Sequence, residues 1–295
     1  MKIFLSLIAC AAVLRVATVS AADLKWSGMR IPCKVSAGDG VKALGAKIGK
    51  FTVLSREEAA RAISNVNSRF PGSRPWATWA VGDVPDATTL SPEANEECLA
   101  YFDKMNVDIF LEIYPRRTNA NVLETIDAWL GKLKQHPCVK GFGVDLEYYK
   151  RVDDATAQSW DQKIKSHNPH YRMFLKHWEQ AFMPPSYRSD IIFICTSSED
   201  TQQVLNDAFA SWAAHFAPSA CAFQIGYPAD EDGMDGKNDK GWWKLPDPIK
   251  DWGTALLGKI DSPKQEVGLL WVCAKSGKTY HANWDLTKAE AGTVK

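Results

Sequence analysis

The sequence predicts an α/β fold, a single-domain (β/α)8 TIM-type barrel. Short, strongly apolar segments alternate with amphipathic helical segments along the chain, which is the pattern of βα units. The strand segments are apolar almost throughout, as expected for a parallel sheet covered by helices. Once an N-terminal leader is removed, about 270 residues remain, which is typical of one barrel. No repeat and no Gly/Ser-rich linker divides the chain, so we expect one domain over 23–295.

The N-terminal segment predicts a secretory signal peptide over 1–22. Lys2 precedes the apolar run 3–13, and small residues at 20–22 offer a cleavage site. A lipoprotein box ending at Cys10 is the less favoured alternative, because its apolar stretch is short. No later segment has the roughly 20 apolar residues of a membrane helix. We therefore expect an exported protein, extracellular or periplasmic, with no membrane span.

The first half of the chain alternates apolar strands with helices that have recognisable starts. Ser55 provides an N-cap with an acidic first turn behind it, and Ser91 caps a helix with Pro92 at its first position. Apolar residues recur on one side of 121–135, the pattern of an amphipathic helix. The predicted elements in order are strand 50–54, helix 55–68, strand 75–81, helix 91–105, strand 107–114, helix 121–135 and strand 139–149.

The second half continues this alternation. A long helical segment is predicted over 155–182, with a break at Asn168-Pro169 as an alternative, and its three histidines indicate a solvated helix face rather than a metal site. Those histidines are His167, His170 and His177. The elements in order are helix 155–182, strand 191–195, helix 201–216, strand 221–227, helix 248–260 and strand 267–273. The seven strands leave an eighth to be found near 29–35 or 280–284.

Cysteine usage agrees with export. The cysteines that follow the leader form an even set without a C-x-x-C pair, so we expect no zinc site and up to three long-range disulfides that stabilise the barrel. The spacing does not choose among the pairings. These cysteines are Cys33, Cys98, Cys138, Cys195, Cys221 and Cys273.

The charge balance is neutral, with 35 Lys and Arg against 35 Asp and Glu. A neutral chain gives no indication of nucleic acid or of an anionic membrane surface as a partner. No glycine-rich phosphate loop is present, and we expect neither a cofactor nor a metal.

The segment 139–149 (VKGFGVDLEYY) carries the strongest functional signal. It reads as a buried strand that ends in Asp145 and Glu147, which are two residues apart and therefore share a face. Parallel α/β folds place their chemistry at this end of a strand. Like charges that close raise the pKa of one carboxyl group, which then acts as a general acid. The alternative is a strand end with two ordinary surface acids.

Other strand ends supply groups suited to a polyhydroxylated ligand. Carboxylates, amides and aromatic rings recur there, and Lys275 is the single cationic candidate nearby. Such a mouth fits a neutral sugar better than a phosphate. The candidates that bind substrate are Asp83, Tyr149, Gln224, Tyr227, Trp79 and Trp271. Trp76 and Trp79 have opposite strand parity, so they cannot both face the barrel interior.

Residues 143–148 (GVDLEY) resemble the fourth-strand motif of the family 18 glycoside hydrolases, the chitinases and related enzymes. The resemblance implies that Glu147 is the catalytic acid and that Asp145 orients an acetamido group of the substrate. Residues 224–227 (QIGY) are similar to the sixth-strand segment whose Tyr assists that group, and Trp271 resembles the floor of the sugar subsite.

This motif differs from the family 18 pattern at two positions, both of which are glycine. Gly141 and Gly143 stand where that family has further aspartates, and the remaining D-x-E is also similar to the family 25 lysozymes. Glu112 on the neighbouring strand is the candidate for a second catalytic carboxylate if the substrate has no N-acetyl group.

We therefore expect a secreted glycoside hydrolase that acts on a neutral or N-acetylated poly- or oligosaccharide. Two alternatives stay open. One is a catalytically inactive, lectin-like carbohydrate-binding protein on the same barrel. The other is an exported scaffold or interaction protein that uses the barrel only as a framework.

Overall fold

The computed structural model describes residues 23–31, 35–36, 54–82, 90–116, 121–198, 200–227, 241–262, 264–274 and 284–288. Eight parallel strands close into a barrel, which confirms the predicted fold class. A separate pair of two-residue strands lies outside the barrel. The strands in chain order are β1 (Asp23–Ile31), β2 (Val35–Ser36), β3 (Leu54–Ser55), β4 (Arg74–Ala80), β5 (Asp108–Ile113), β6 (Val139–Asp145), β7 (Arg172–His177), β8 (Ile192–Cys195), β9 (Cys221–Ile225) and β10 (Glu266–Trp271).

Six α-helices lie among the described residues. Two of them begin at the N-cap residues that the sequence predicts. The Ser55 side chain accepts a hydrogen bond from the Glu58 backbone N–H while the Glu58 carboxylate accepts one from Ser55, a complete capping box. Ser91 caps the next helix, with Pro92 at its first position. The helices are α1 (Arg56–Asn67), α2 (Pro92–Phe102), α3 (Val122–Leu133), α4 (Asp154–His167), α5 (Gln202–Phe216) and α6 (Pro248–Leu257).

The first strand of the barrel is β1, and the expectation that 50–54 forms a barrel strand is wrong. Within that segment the structure describes Leu54, which pairs with Val35 in the small outer sheet. Strand β1 overlaps the site proposed for an eighth strand only at its end. Its apolar pattern is weak because two buried positions are polar: Arg30 on the inner side of the strand and Ser27 on the outer side, where its hydroxyl group contacts Ser73.

The fifth barrel strand, β7, replaces the second half of the predicted helix 155–182. Helix α4 ends at His167, and Asn168 before Pro169 has an extended backbone (φ −157°, ψ 121°), which places the break at the proposed alternative. His177 is 1 % exposed, so the three histidines do not form one solvated helix face. Strand β9 is therefore the seventh barrel strand, and the strand order implied by the family 18 resemblance does not hold at residues 224–227.

Two apolar layers hold the barrel together. The interior cluster is formed by inward-facing residues, with Trp76 stacked on Trp26 at 5.5 Å between ring centroids. The outer layer lies between the strands and the helices and includes Trp79 and Trp271. Trp76 and Trp79 thus face opposite sides of the sheet, as their parity predicts. The interior cluster comprises Trp26, Trp76, Phe110, Phe174, Ile192, Ile194, Ala220, Ala222 and Leu270.

The expected disulfides are absent among the described cysteines. Five thiols are free and buried in the outer layer, where apolar side chains surround them. Burial raises the pKa of Cys98 to about 12 and that of Cys195 to about 11, so both remain protonated and unreactive at neutral pH. The five are Cys98, Cys138, Cys195, Cys221 and Cys273. Cys33 and the predicted leader 1–22 lie outside the described residues.

None of the helices in the described ranges is long and apolar enough to cross a membrane.

Candidate active site

Strand β6 delivers the two candidate carboxylates to the C-terminal mouth of the barrel. Asp145 is its last residue and is 3 % exposed. The chain then turns, and the backbone N–H of Glu147 donates a hydrogen bond of 2.9 Å to Asp145 Oδ1. The Glu147 side chain is exposed to solvent. One carboxylate is therefore buried at the floor of the mouth, and the other lies at its rim.

A buried lysine on β7 occupies the space between the carboxylates of two strands. Lys176 pairs with Asp145 in the sheet, and its Nζ lies 2.7 Å from Asp145 Oδ2 and also contacts Glu112 Oε1. The same ammonium donates to the Tyr114 hydroxyl at 3.2 Å. Burial alone would lower the pKa of Lys176, but the negative charges of Asp145 and Glu112 outweigh it and raise that pKa. Lys176 is thus a permanent cation in this site.

Arg30 of β1 supplies a second buried cation. Its Nη2 donates to the Tyr114 hydroxyl at 3.0 Å. Burial opposes the charge on Arg30, but Tyr114, Tyr227 and Glu112 together raise its pKa. Arg30 and Lys176 therefore balance the two buried carboxylates, and the expectation of Lys275 as the single cation near the mouth is wrong. Lys275 itself lies outside the described residues.

Glu112 faces the barrel interior, but solvent does not reach it. The residue is 0 % exposed, and Oε1 is held by the Lys176 ammonium. Within the described part of the chain, Oε2 makes no hydrogen bond. The structure thus brings the expected second carboxylate to the site and closes it off from a ligand in this conformation.

The pKa of Glu147 is shifted in the direction that favours an acid catalyst. Partial burial raises the pKa of its carboxyl group, and the negative charge of Asp145 raises it further. A hydrogen bond from Tyr148 and the positive charges of Lys176 and Arg30 act in the opposite direction without cancelling the rise. A larger share of Glu147 is therefore protonated near neutral pH than of an ordinary glutamate.

Strand β9 brings Gln224 and Tyr227 to the same mouth. The Tyr227 hydroxyl donates to Gln224 Oε1 at 2.6 Å, and its electrostatic effect on Arg30 links the pair to the charged cluster. Gly226 between them has φ +79°, and an added Cβ would meet the Trp271 ring at 2.5 Å, so the turn requires glycine. Gln224 Nε2 is buried and makes no hydrogen bond to the described residues.

Two predicted sugar platforms are buried on the wrong side of the sheet. Trp79 is 2 % exposed and donates its indole N–H to Asn95 Oδ1 of α2 at 2.8 Å. Trp271 is 1 % exposed and donates to the Cys273 carbonyl at 2.9 Å. A ring that stacks on a sugar needs an open face, so the prediction for these two residues is wrong. Both occupy outward-facing strand positions, which the helices cover.

The other two predicted contacts are not part of the mouth as described. Tyr149 is half-buried and packs against Trp160 of α4, with 5.6 Å between the ring centroids. Asp83 lies outside the described residues.

Sequence reasoning missed the aromatic residues of the rim. Trp178 is 44 % exposed and Tyr148 is 41 % exposed, each just past the end of its strand. Recognising 172–177 as a strand would have placed Lys176 and Trp178 at its C-terminal end. The prediction of a helix over 155–182 prevented this. Within the described ranges, no group of three or more His, Cys, Asp and Glu side chains is arranged to hold a metal ion.

Comparisons with known proteins identify the fold. No protein-family model and no curated protein sequence matches this chain. A GH99 endo-alpha-mannosidase from Bacteroides thetaiotaomicron superposes with a TM-score of 0.51 at 12 % identity, over 90 % of this chain and 87 % of that one. An endo-beta-1,4-glucanase from Xanthomonas axonopodis pv. citri gives 0.51 at 10 % identity, over 92 % and 95 %. Likeness at this level of identity shows the barrel fold alone. The family 18 and family 25 resemblances rest on the motif residues alone.

Proposed function

We propose that this protein is a secreted glycoside hydrolase in which Glu147 is the general acid. The observation that carries the proposal is a solvent-exposed carboxyl group with a raised pKa, at the C-terminal end of a barrel strand and beside a second carboxylate. That arrangement is the one glycosidases use to protonate a leaving group. Export is inferred from the leader-like segment 1–22.

The proposed reaction begins with proton transfer from Glu147 to the glycosidic oxygen. The bond between that oxygen and the anomeric carbon breaks, and positive charge develops on the sugar ring. The negative charge of Asp145, on the floor beneath the acid, stabilises this charge. Water then adds to the anomeric carbon and returns its proton to Glu147, which restores the acid.

The buried ion pairs favour an N-acetylated substrate. A protein nucleophile needs a carboxylate oxygen within reach of the anomeric carbon, but Lys176 holds Asp145 and Glu112, and both are almost fully buried. The carbonyl oxygen of an acetamido group can act as nucleophile in their place. Asp145 would then act through its negative charge rather than by attack.

A reducing-end release assay tests the proposal. We expect the wild type to cleave at least one member of a panel of chitin oligomers, peptidoglycan and neutral β-linked polysaccharides. Glu147→Gln should lower kcat by about 100-fold or more, because it removes the transferable proton. Glu179→Gln is the matched control, since Glu179 is also exposed on this rim but lies beyond β7. Full activity in Glu147→Gln would refute the assignment.

A second candidate function is carbohydrate binding without hydrolysis. It is favoured by the Lys176 ion pairs, which occupy both buried carboxylates and leave one exposed acid. In that case the folded wild type would bind sugars from the panel and release no reducing ends from any of them.

A further inference from the structure

Two of the three large hydrophobic side chains that are exposed among the described residues follow the C-terminal ends of neighbouring barrel strands. Tyr148 follows the end of β6, and Trp178 follows the end of β7. The third, Val204, lies on the outer helix α5. An exposed indole ring loses the free energy that burial would provide, so two aromatic rings at one edge indicate a surface that is covered by a ligand.

Trp178 is the outermost ring of a preformed stack. Its indole lies 4.1 Å from the His177 ring, with an interplanar angle of 21°. His177 stacks in turn on Phe182 at 3.8 Å and 10°, and Arg151 lies over Phe182 at 6.0 Å. Nδ1 of His177 accepts a hydrogen bond from the Glu179 backbone, which fixes the imidazole plane. One face of Trp178 is thus supported from below while the residue as a whole remains 44 % exposed.

The sheet register places side by side the two strand ends that precede the acid and this ring. Asp145 pairs with Lys176, and the Leu146 N–H donates to the Lys176 carbonyl at 2.9 Å. Glu147 follows Asp145 by two residues and Trp178 follows Lys176 by two residues, so both lie a short distance beyond the ends of neighbouring strands. Burial lowers the pKa of His177, so its ring is neutral and adds no charge beneath the indole.

We propose that Trp178 and Tyr148 form a stacking platform for a pyranose ring adjacent to the one whose bond is cleaved. This inference rests on the proposed function and extends it to the substrate class: a chain of several sugar rings rather than a single sugar. The C–H face of a pyranose is flat and apolar, so it packs on an indole by dispersion and loses water in doing so. Hydroxyl groups at the ring edge stay free to bond with the polar mouth.

Calorimetric titration with chitohexaose, cellohexaose and mannohexaose tests the platform. The Glu147→Gln protein is the parent, so that the hexaoses stay intact. Trp178→Ala should weaken binding of the preferred hexaose roughly 3- to 10-fold, the range expected for one aromatic stacking contact. Trp178→Tyr retains a stacking face and should stay within about twofold of the parent. Val204→Ala is the control for loss of an exposed hydrophobic group elsewhere and should leave binding unchanged.

A second measurement does not depend on the folding of the alanine variant. The hexaose should protect the parent's exposed tryptophan emission from acrylamide quenching, and N-acetylglucosamine should not. Equal hexaose affinity in parent and Trp178→Ala, or no binding of any hexaose to the parent, would overturn the platform. Trp178-dependent binding by a wild type that releases no reducing ends would support the platform and refute the hydrolase.

Discussion

Lys176→Met is the perturbation that tests the charge balance of the mouth most directly. Methionine is unbranched and only one heavy atom shorter than lysine, so the lost charge rather than a cavity dominates the effect. The substitution leaves Glu112 and Asp145, which are 0 % and 3 % exposed, without the ammonium that both contact. Removing one partner from a buried ion pair destabilises a protein by about 3–5 kcal/mol, and we expect a loss of free energy of unfolding in this range at pH 7.

The pH dependence of this loss gives a second, independent check. The raised pKa of Lys176 contributes stability that is fully present below the unfolded lysine value of about 10.4 and is lost only as the pH rises through the folded value. The Lys176 contribution to wild-type stability is therefore constant between pH 5 and 7. In the variant, Glu112 and Asp145 no longer contact an ammonium group, and their protonation at lower pH removes the buried negative charge. The difference between variant and wild type should consequently shrink as the pH falls from 7 to 5.

Urea denaturation at both pH values measures these quantities. Lys163→Met is the matched control, because Lys163 forms a partly exposed pair with Asp127 at 3.4 Å and should cost about 1 kcal/mol or less. A loss in Lys176→Met no larger than that of the control would refute the electrostatic account of the mouth. So would a loss that grows as the pH is lowered.

Two further predictions follow from the site and the barrel interior. For the proposed hydrolase, kcat/KM should fall as pH rises through the pKa of Glu147, and this fall should occur above the usual range of a glutamate. A pH–rate profile in which the fall occurs at or below that range would contradict the assignment of the acid. Gly143→Ala should cost about 1–3 kcal/mol in chemical denaturation, because its Cβ would overlap the Phe174 ring, whereas Gly131→Ala meets nothing within 4 Å and should be neutral or slightly stabilising.

The sequence predicts helix starts well, because contacts within a few residues determine them. The Ser55 and Ser91 caps mark helix starts because their hydroxyl groups satisfy backbone N–H groups within three residues. Strand β7 is hard to recognise in the sequence because Arg172, Lys176 and His177 leave only three consecutive apolar residues between them. That lysine is tolerated only because Asp145 and Glu112, from other strands, neutralise it.

The sequence predicts the two acids of the candidate site but not the buried cations that lie near them. Asp145 and Glu147 are recognisable because both fall within one short segment at one strand end. Period-two alternation shows that Trp76 and Trp79 face opposite sides, but it does not tell which side is the barrel interior. Choosing between them requires the closed sheet, and Trp271 was misplaced for the same reason.

The overlap between Gly143 and the Phe174 ring constrains how this barrel can evolve. An aspartate at position 143, as the family 18 pattern has, cannot be accommodated while the aromatic ring fills that space. Shrinking Phe174 first would open a cavity in the interior cluster. Either single step is thus deleterious, and only the pair of changes together would be viable. The two positions are therefore coupled, and a side chain at position 143 requires a smaller residue at position 174.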